Sequence, residues 1–247
     1  MALTQAGQDV RQSTVSTPGF KLFAIERDGY THATELHVYI GGDGEPWIAG
    51  RYAARDPTDG RDPALSLFAL DSEPAIYLGR PCYYVRSDAC TTALWTSARY
   101  GSSVIESLDA ALQQYVVARA PQRLVLVGFS GGGVLALALA SRMPIPTYVI
   151  TVGTNLDVAA WVEHHGYLSL HDSLDPAAAP AMYNGVNQLH LQGERDRNVP
   201  PSITERYTST LSSKAVRRYP KQDHYCCWED IWPAILEEAP WRNAVHR

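Results

Sequence analysis

Short runs of apolar and β-branched residues, bounded by Gly, Pro and Asp, recur along the chain. They predict strands over Lys21–Arg27, Glu35–Ile40, Ala75–Leu78, Arg123–Val127, Pro146–Val152, Asn187–Leu191 and Ala215–Tyr219. The first two are separated by Asp28-Gly29-Tyr30, a turn signal. Between strands the apolar spacing lengthens to a helical period. Over Gly101–Arg119 it places Val104, Leu108, Ala111, Leu112 and Tyr115 on one face. Pro63–Leu70, Val134–Arg142, Ser202–Leu211 and Trp228–Glu238 also read as helices. Strands alternating with helices predict right-handed crossovers and an α/β fold, with a mostly parallel central sheet flanked by helices. No linker divides the sequence, so residues 1–247 are expected to form one domain, with a flexible N-terminus to about residue 17.

One segment breaks the alternation. Asn155–Gly185 lies between two strands and is too long for a plain crossover loop. In such a sheet it would lie above the carboxyl ends of the strands, where ligands bind. It reads as a small cap segment; a helical crossover with a long tail is the alternative.

Composition narrows the class. With 45% hydrophobic and 19% charged residues the chain is globular. A net charge of −5 and the lack of a dense Lys/Arg run argue against nucleic acid as a partner. No apolar run approaches the ~20 residues of a transmembrane segment. Residues 1–17 are polar and lack the basic start and apolar centre of a signal peptide, which fits either a cytoplasmic protein or the mature part of an exported one.

The densest chemical signal is residues 124–133, Leu-Val-Leu-Val-Gly-Phe-Ser-Gly-Gly-Gly. A buried-type strand runs into Gly128-Phe129-Ser130-Gly131-Gly132, and a helix follows at once. The G-x-S-x-G pattern alone is weak; the strand before it and the helix after it make it a nucleophile elbow, which presents a serine hydroxyl on a strained turn. A serine hydroxyl needs a base to take its proton and N–H donors to hold the oxyanion. The acid and base are expected after the serine, in that order. Asp196, on the loop past the Asn187–Leu191 strand, is the candidate acid, with Glu194 behind it. His224, on the loop past the last strand, is the candidate base. His32 and His37 precede the serine, and His190 sits inside a strand. His164, His165 and His171 lie in the cap segment, and His246 lies at the terminus. Gly131 is the expected first oxyanion donor. The second is Gly42 or Asp43, in the Gly41-Gly42-Asp43-Gly44 loop after an early strand. Trp95, Tyr100 and Trp161 are candidates for the pocket wall or for plain core.

Four cysteines are present, Cys82, Cys90, Cys226 and Cys227, with no C-x-x-C and no zinc spacing. Cys82 and Cys90 bracket a polar stretch that reads as a surface loop, which favours a disulfide between them; four buried thiols are the alternative.

In this order of glycine loop, elbow, Asp196 loop and His224 loop, the chain resembles the α/β-hydrolase superfamily. It is most similar to a group of small bacterial serine α/β hydrolases, often exported or lipoprotein-like. The residues that carry this likeness are Gly-Gly-Asp-Gly-x-Pro-Trp from Gly41, Leu-Gly-Arg-Pro-Cys from Leu78, and the His-x-Cys-Cys-Trp end, His224–Trp228. The usual HGGG-type loop is replaced here by Gly41–Gly44. The resemblance implies hydrolysis of carboxylic esters, thioesters or amides with neither metal nor cofactor. It also implies a periplasmic or secreted setting, with cytoplasmic as the alternative, and supports the Cys82–Cys90 bridge. The leading expectation is therefore a serine esterase acting on a small-molecule ester through Ser130, His224 and Asp196. An acyltransferase or peptidase using the same groups, or a non-catalytic binding protein of the same fold, are the competing readings. The absence of an obvious large lid points to short or medium acyl groups.

Overall fold

The computed structural model describes residues 10–27 and 34–238. The elements run β1 (Val10–Thr17), β2 (Phe20–Arg27), β3 (Glu35–Ile40), β4 (Trp47–Ile48), β5 (Tyr52–Ala53), α1 (Pro63–Leu70), β6 (Ala75–Leu78), α2 (Ser102–Arg119), β7 (Arg123–Phe129), α3 (Gly131–Ala140), β8 (Thr147–Val152), α4 (Val158–His165), β9 (Asn187–Gly193), α5 (Glu205–Thr208), β10 (Val216–Tyr219) and α6 (Trp232–Glu237). Among the described residues eight strands form one sheet in the order β1-β2-β6-β3-β7-β8-β9-β10. β6, β3, β7, β8, β9 and β10 are mutually parallel; β2 pairs antiparallel with both β1 and β6.

Strand alternation sorts side chains onto two cores. Leu36, Val38 and Ile40 of β3, with Leu124 and Leu126 of β7, meet α2 and α3 on one face. Tyr39, Val125, Val127 and Phe129 meet α1 and α6 on the other. β7 is buried on both faces, which is why it reads as an unbroken apolar run. From β3 the chain passes outward to β6, then returns across the sheet through α2 to β7 on the opposite side of β3. The connections leaving β3 and β7 therefore diverge and open a crevice at the carboxyl ends of the strands, a topological switch point.

Several expectations need correction. Residues 10–17, expected within a flexible N-terminus, form β1, paired residue for residue with β2 across a two-residue Pro18-Gly19 turn. Only Val15 of β1 is buried, so this edge strand lacks the alternation that would have marked it. Pro-Gly before an apolar run was the available signal. Ser202–Leu211 is not one helix but a 3₁₀ turn, Pro201–Thr204, followed by the single turn α5. The hydroxyls of Thr204, Thr208 and Thr210 bond to carbonyls three or four residues back and compete with a regular ladder. The closing helix begins at Trp232 rather than Trp228, with Pro233 in its first turn. The Asp28–Tyr30 turn, His32 and His246 lie outside the described residues. Among the described residues no helix is long and apolar enough to cross a membrane.

Candidate active site

Ser130 sits between β7 and α3 at φ 49° and ψ −125°, a conformation that side-chain-bearing residues seldom adopt. Its N–H donates to Val152 O at 2.9 Å, tying the turn to β8, and its carbonyl accepts from Gly133 N at 3.0 Å. Strand and helix pass so closely here that a Cβ on Gly128 would overlap the backbone of Gly132 and Gly133.

Asp196 lies on the loop past β9 and is buried. Its Oδ1 accepts from the backbone N–H groups of Asn198 (2.8 Å) and Val199 (2.7 Å), which fixes the carboxylate. Its Oδ2 lies 2.8 Å from His224 Nδ1. His224, on the loop past β10, is also buried, with its ring 5.0 Å from the Phe129 ring. Its Nε2 lies 3.2 Å from Ser130 Oγ. Three side chains from three loops thus form one hydrogen-bonded line from carboxylate to imidazole to hydroxyl. With the Nδ1 proton directed at Asp196, Nε2 is the accepting nitrogen. Glu194 is exposed and outside this line.

The other described histidines are elsewhere. His37 is sandwiched between Asp71 and Glu35. His190 bonds Thr151 and Gln188, and burial pushes it down to about 3. His165 Nε2 contacts Asn198 O at 2.8 Å, and His171 pairs with Asp172.

A cavity of about 1010 Å³ opens over Ser130 and His224. One part of its wall is Gly41–Trp47, Asp59 and Asp62; another is Trp161 with Gly166–His171 from the Asn155–Gly185 segment. Trp161 is thus at the wall, with its indole N–H donating to Asn198 O at 3.0 Å. Trp95 and Tyr100, the other two candidates, do not line the cavity. Trp95 is core, donating to Ala54 O at 3.1 Å. Tyr100 is fully buried and donates to Asp43 Oδ2 at 2.5 Å. An aromatic residue near a glycine loop serves packing as readily as a pocket, and sequence alone does not separate the two.

Gly42 abuts the serine: a Cβ built on it would come 3.3 Å from Ser130 Cβ and 3.0 Å from the Phe129 ring. The loop is braced from behind. Arg80 bonds both Gly42 O (3.0 Å) and Asp43 Oδ1 (2.7 Å), Arg99 reaches Asp43 Oδ2 (3.0 Å), and Tyr83 donates to Asp43 O (2.8 Å). Burial would push the Asp43 carboxyl up, but the Arg99 and Arg80 guanidiniums overcome this and hold it down at about 2. Sequence reasoning gave these arginines no role, although Arg80 lies inside the Leu-Gly-Arg-Pro-Cys stretch. Asn198 was likewise passed over inside the Asp196 loop. Cys82 and Cys90 are joined, Cα to Cα 5.7 Å, as are the neighbours Cys226 and Cys227. No three His, Cys, Asp or Glu side chains cluster as a cation site among the described residues.

No protein-family model matches the sequence, and no curated protein matches it. Solved structures do. A serine α/β hydrolase without a lid from Xanthomonas campestris superimposes with TM-score 0.61 at 14% identity, over 93% of each chain. An esterase from Pyrococcus furiosus gives 0.60 at 13%, over 96% of this chain and 90% of that one. A puromycin-hydrolysing peptidase from Mycobacterium tuberculosis gives 0.62 at 17%, over 88% of this chain and 36% of that one.

The chain has the α/β-hydrolase fold. Within that fold Ser130 occupies the elbow after a central strand, and Asp196 and His224 occupy loops after two later strands. All three lie at the carboxyl edge of the sheet.

Proposed function

We propose that this α/β-hydrolase-fold protein is a serine hydrolase that cleaves carboxylic esters through an acyl-enzyme intermediate. The observation supporting this reading is the line Asp196–His224–Ser130, with separations of 2.8 and 3.2 Å. In the proposed reaction Ser130 Oγ attacks the ester carbonyl and its proton passes to His224 Nε2. The imidazolium then returns that proton to the departing alcohol. Asp196 holds the ring orientation and stabilises its charged form. The oxyanion is held by the N–H groups of Gly131 and of the 42–43 loop, where Gly42 lies so near the serine that an added Cβ would come 3.3 Å from Ser130 Cβ. A water then takes the place of the alcohol and releases the acid.

The wall supplies the substrate preference. Trp47, Tyr83, Phe129, Trp161, Tyr167 and Tyr225 give it an aromatic part, beside a charged part from Glu45, Arg51, Asp59 and Asp62; the aromatic part suits esters carrying an apolar acyl or alcohol group of short to medium length. The Asn155–Gly185 segment acts as a small cap, with residues 166–171 lining this space. The setting proposed is periplasmic or secreted, supported by the Cys82–Cys90 disulfide.

The deciding experiment pairs a fluorophosphonate probe with p-nitrophenyl acyl esters. Wild-type protein is expected to label and to turn over esters. Ser130→Ala should lose labelling and lower kcat by about 10³-fold or more, down to what oxyanion stabilisation alone supplies. Retained turnover in Ser130→Ala would overturn the reading. Faster transfer to an alcohol acceptor than to water, or faster peptide cleavage, would redirect it to an acyltransferase or a peptidase.

A further inference from the structure

His224 Nε2 has two partners. Ser130 Oγ is 3.2 Å away and Asn198 Nδ2 is closer, at 2.9 Å. With the Nδ1 proton directed to Asp196, Nε2 carries a single lone pair, and an amide N–H and a serine O–H both point to it. Asn198 is itself fixed by its backbone. Its N–H donates to Asp196 Oδ1 at 2.8 Å. Its carbonyl accepts from Trp161 Nε1 at 3.0 Å and contacts His165 Nε2 at 2.8 Å. Trp161 and His165 are one turn apart on α4, and both Trp161 and Asn198 line the cavity. One residue therefore joins the acid, the base and the helix that carries the cap segment.

We propose that Asn198 is a positioning residue of the reaction: its side-chain amide caps His224 Nε2 in the substrate-free protein and gives way to the Ser130 hydroxyl when a substrate packs against Trp161. The proposal rests on the serine-hydrolase reading above. It involves no bond to Asn198 and no proton carried by it. The amide N–H bonds the neutral imidazole and cannot bond the imidazolium in the same orientation, so it favours the unprotonated ring. The other groups facing the imidazole are the Asp196 carboxylate, the nearby Asp223 carboxylate, and the Phe129 and Tyr225 rings. Side-chain substitutions at 198 leave all of these in place. They also keep the backbone bonds to Asp196, Trp161 and His165, so the loop is expected to fold in each variant.

The test is kcat/KM for a p-nitrophenyl acyl ester against pH, from 5 to 9, on the full chain and on Asn198→Ala and Asn198→Asp. Without the amide, the acid limb should move to higher pH by about half a unit or more, and in Asn198→Asp by about one unit or more, because a carboxylate there favours the imidazolium. Thermal melting of each variant monitors folding, and a purely structural role would lower activity at every pH without moving the limb. An acid limb that stays at the wild-type pH in both variants overturns the proposal. That outcome is distinct from failure of the hydrolase reading, which would appear as ester turnover surviving Ser130→Ala.

Discussion

Asp43 Oδ1 lies 2.7 Å from the Arg80 guanidinium, directly behind the loop that places Gly42 beside Ser130. Arg99 and Tyr100 complete the shell around the same carboxylate. Two buried cations thus depend on one anion. Asp43→Asn leaves them undercompensated and should lower stability by about 3–5 kcal/mol, as breaking a buried pair from one side does. Urea unfolding measures this; a loss under about 1 kcal/mol would mean the guanidiniums find other partners. The pH dependence has a defined sign. The folded carboxyl is held at about 2, below its usual 3.8, so its contribution is complete above roughly pH 4 and is lost as pH falls toward 2.

In the proposed reaction the Asp196 carboxylate, 2.8 Å from Nδ1, holds one tautomer of His224. Asp196→Asn keeps the shape, yet its amide can present an N–H to Nδ1 and so favour the tautomer with Nε2 protonated. Turnover should then drop by about 10³- to 10⁴-fold with little change in KM. Steady-state kinetics on one ester checks both numbers.

The bond between Cys82 and Cys90 closes a short loop, with a sequence separation of 8. Cys82→Ala with Cys90→Ala should cost about 2–3 kcal/mol on the chain-entropy account. Chemical denaturation of the double variant gives the difference. Thiol titration of the denatured wild type should find no reactive group, since all four cysteines are paired.

Two buried histidines should set opposite pH limits on stability. His190 is pushed down to about 3 by burial, so the unfolded chain binds its proton first, and stability falls as pH drops from about 6.5 toward 3. Burial also opposes charge on His37, but its bonds to Asp71 and Glu35 win and lift it to about 9. Its contribution is complete below about 6.5 and is lost as pH rises through 9. Unfolding free energy measured across pH should fall on both sides. Replacing His190 with Gln should flatten the acid side, if the new amide keeps the bond to Thr151.

The strand–helix rhythm was readable because β3, β6, β7, β8 and β9 are buried, α2 is apolar on one face and α3 is apolar throughout. Ser130, Asp196 and His224 were readable because each follows a strand whose end is marked by glycine or a turn. β1 escaped notice because an edge strand with one buried residue carries no period. For Trp95 and Tyr100 wall and core stayed open, because apolar character says that a ring is buried but not what it is buried against. Arg80, Arg99 and Asn198 were missed because their roles consist of partners distant in the chain: Arg80 is 37 residues from Asp43, and Asn198 is 26 from His224.

β8 stands between the strand that delivers Ser130 and the strand that delivers Asp196, and Val152 at its end bonds the serine backbone directly. The side chains of Ser130 and Asp196 therefore take their spacing from the pitch of the parallel sheet. Most of the cavity wall belongs to excursions between strands, among them residues 41–63, 80–99 and 161–171. Evolution or an engineer could rewrite those excursions and change what fits the cavity, while Ser130, His224 and Asp196 stay in register.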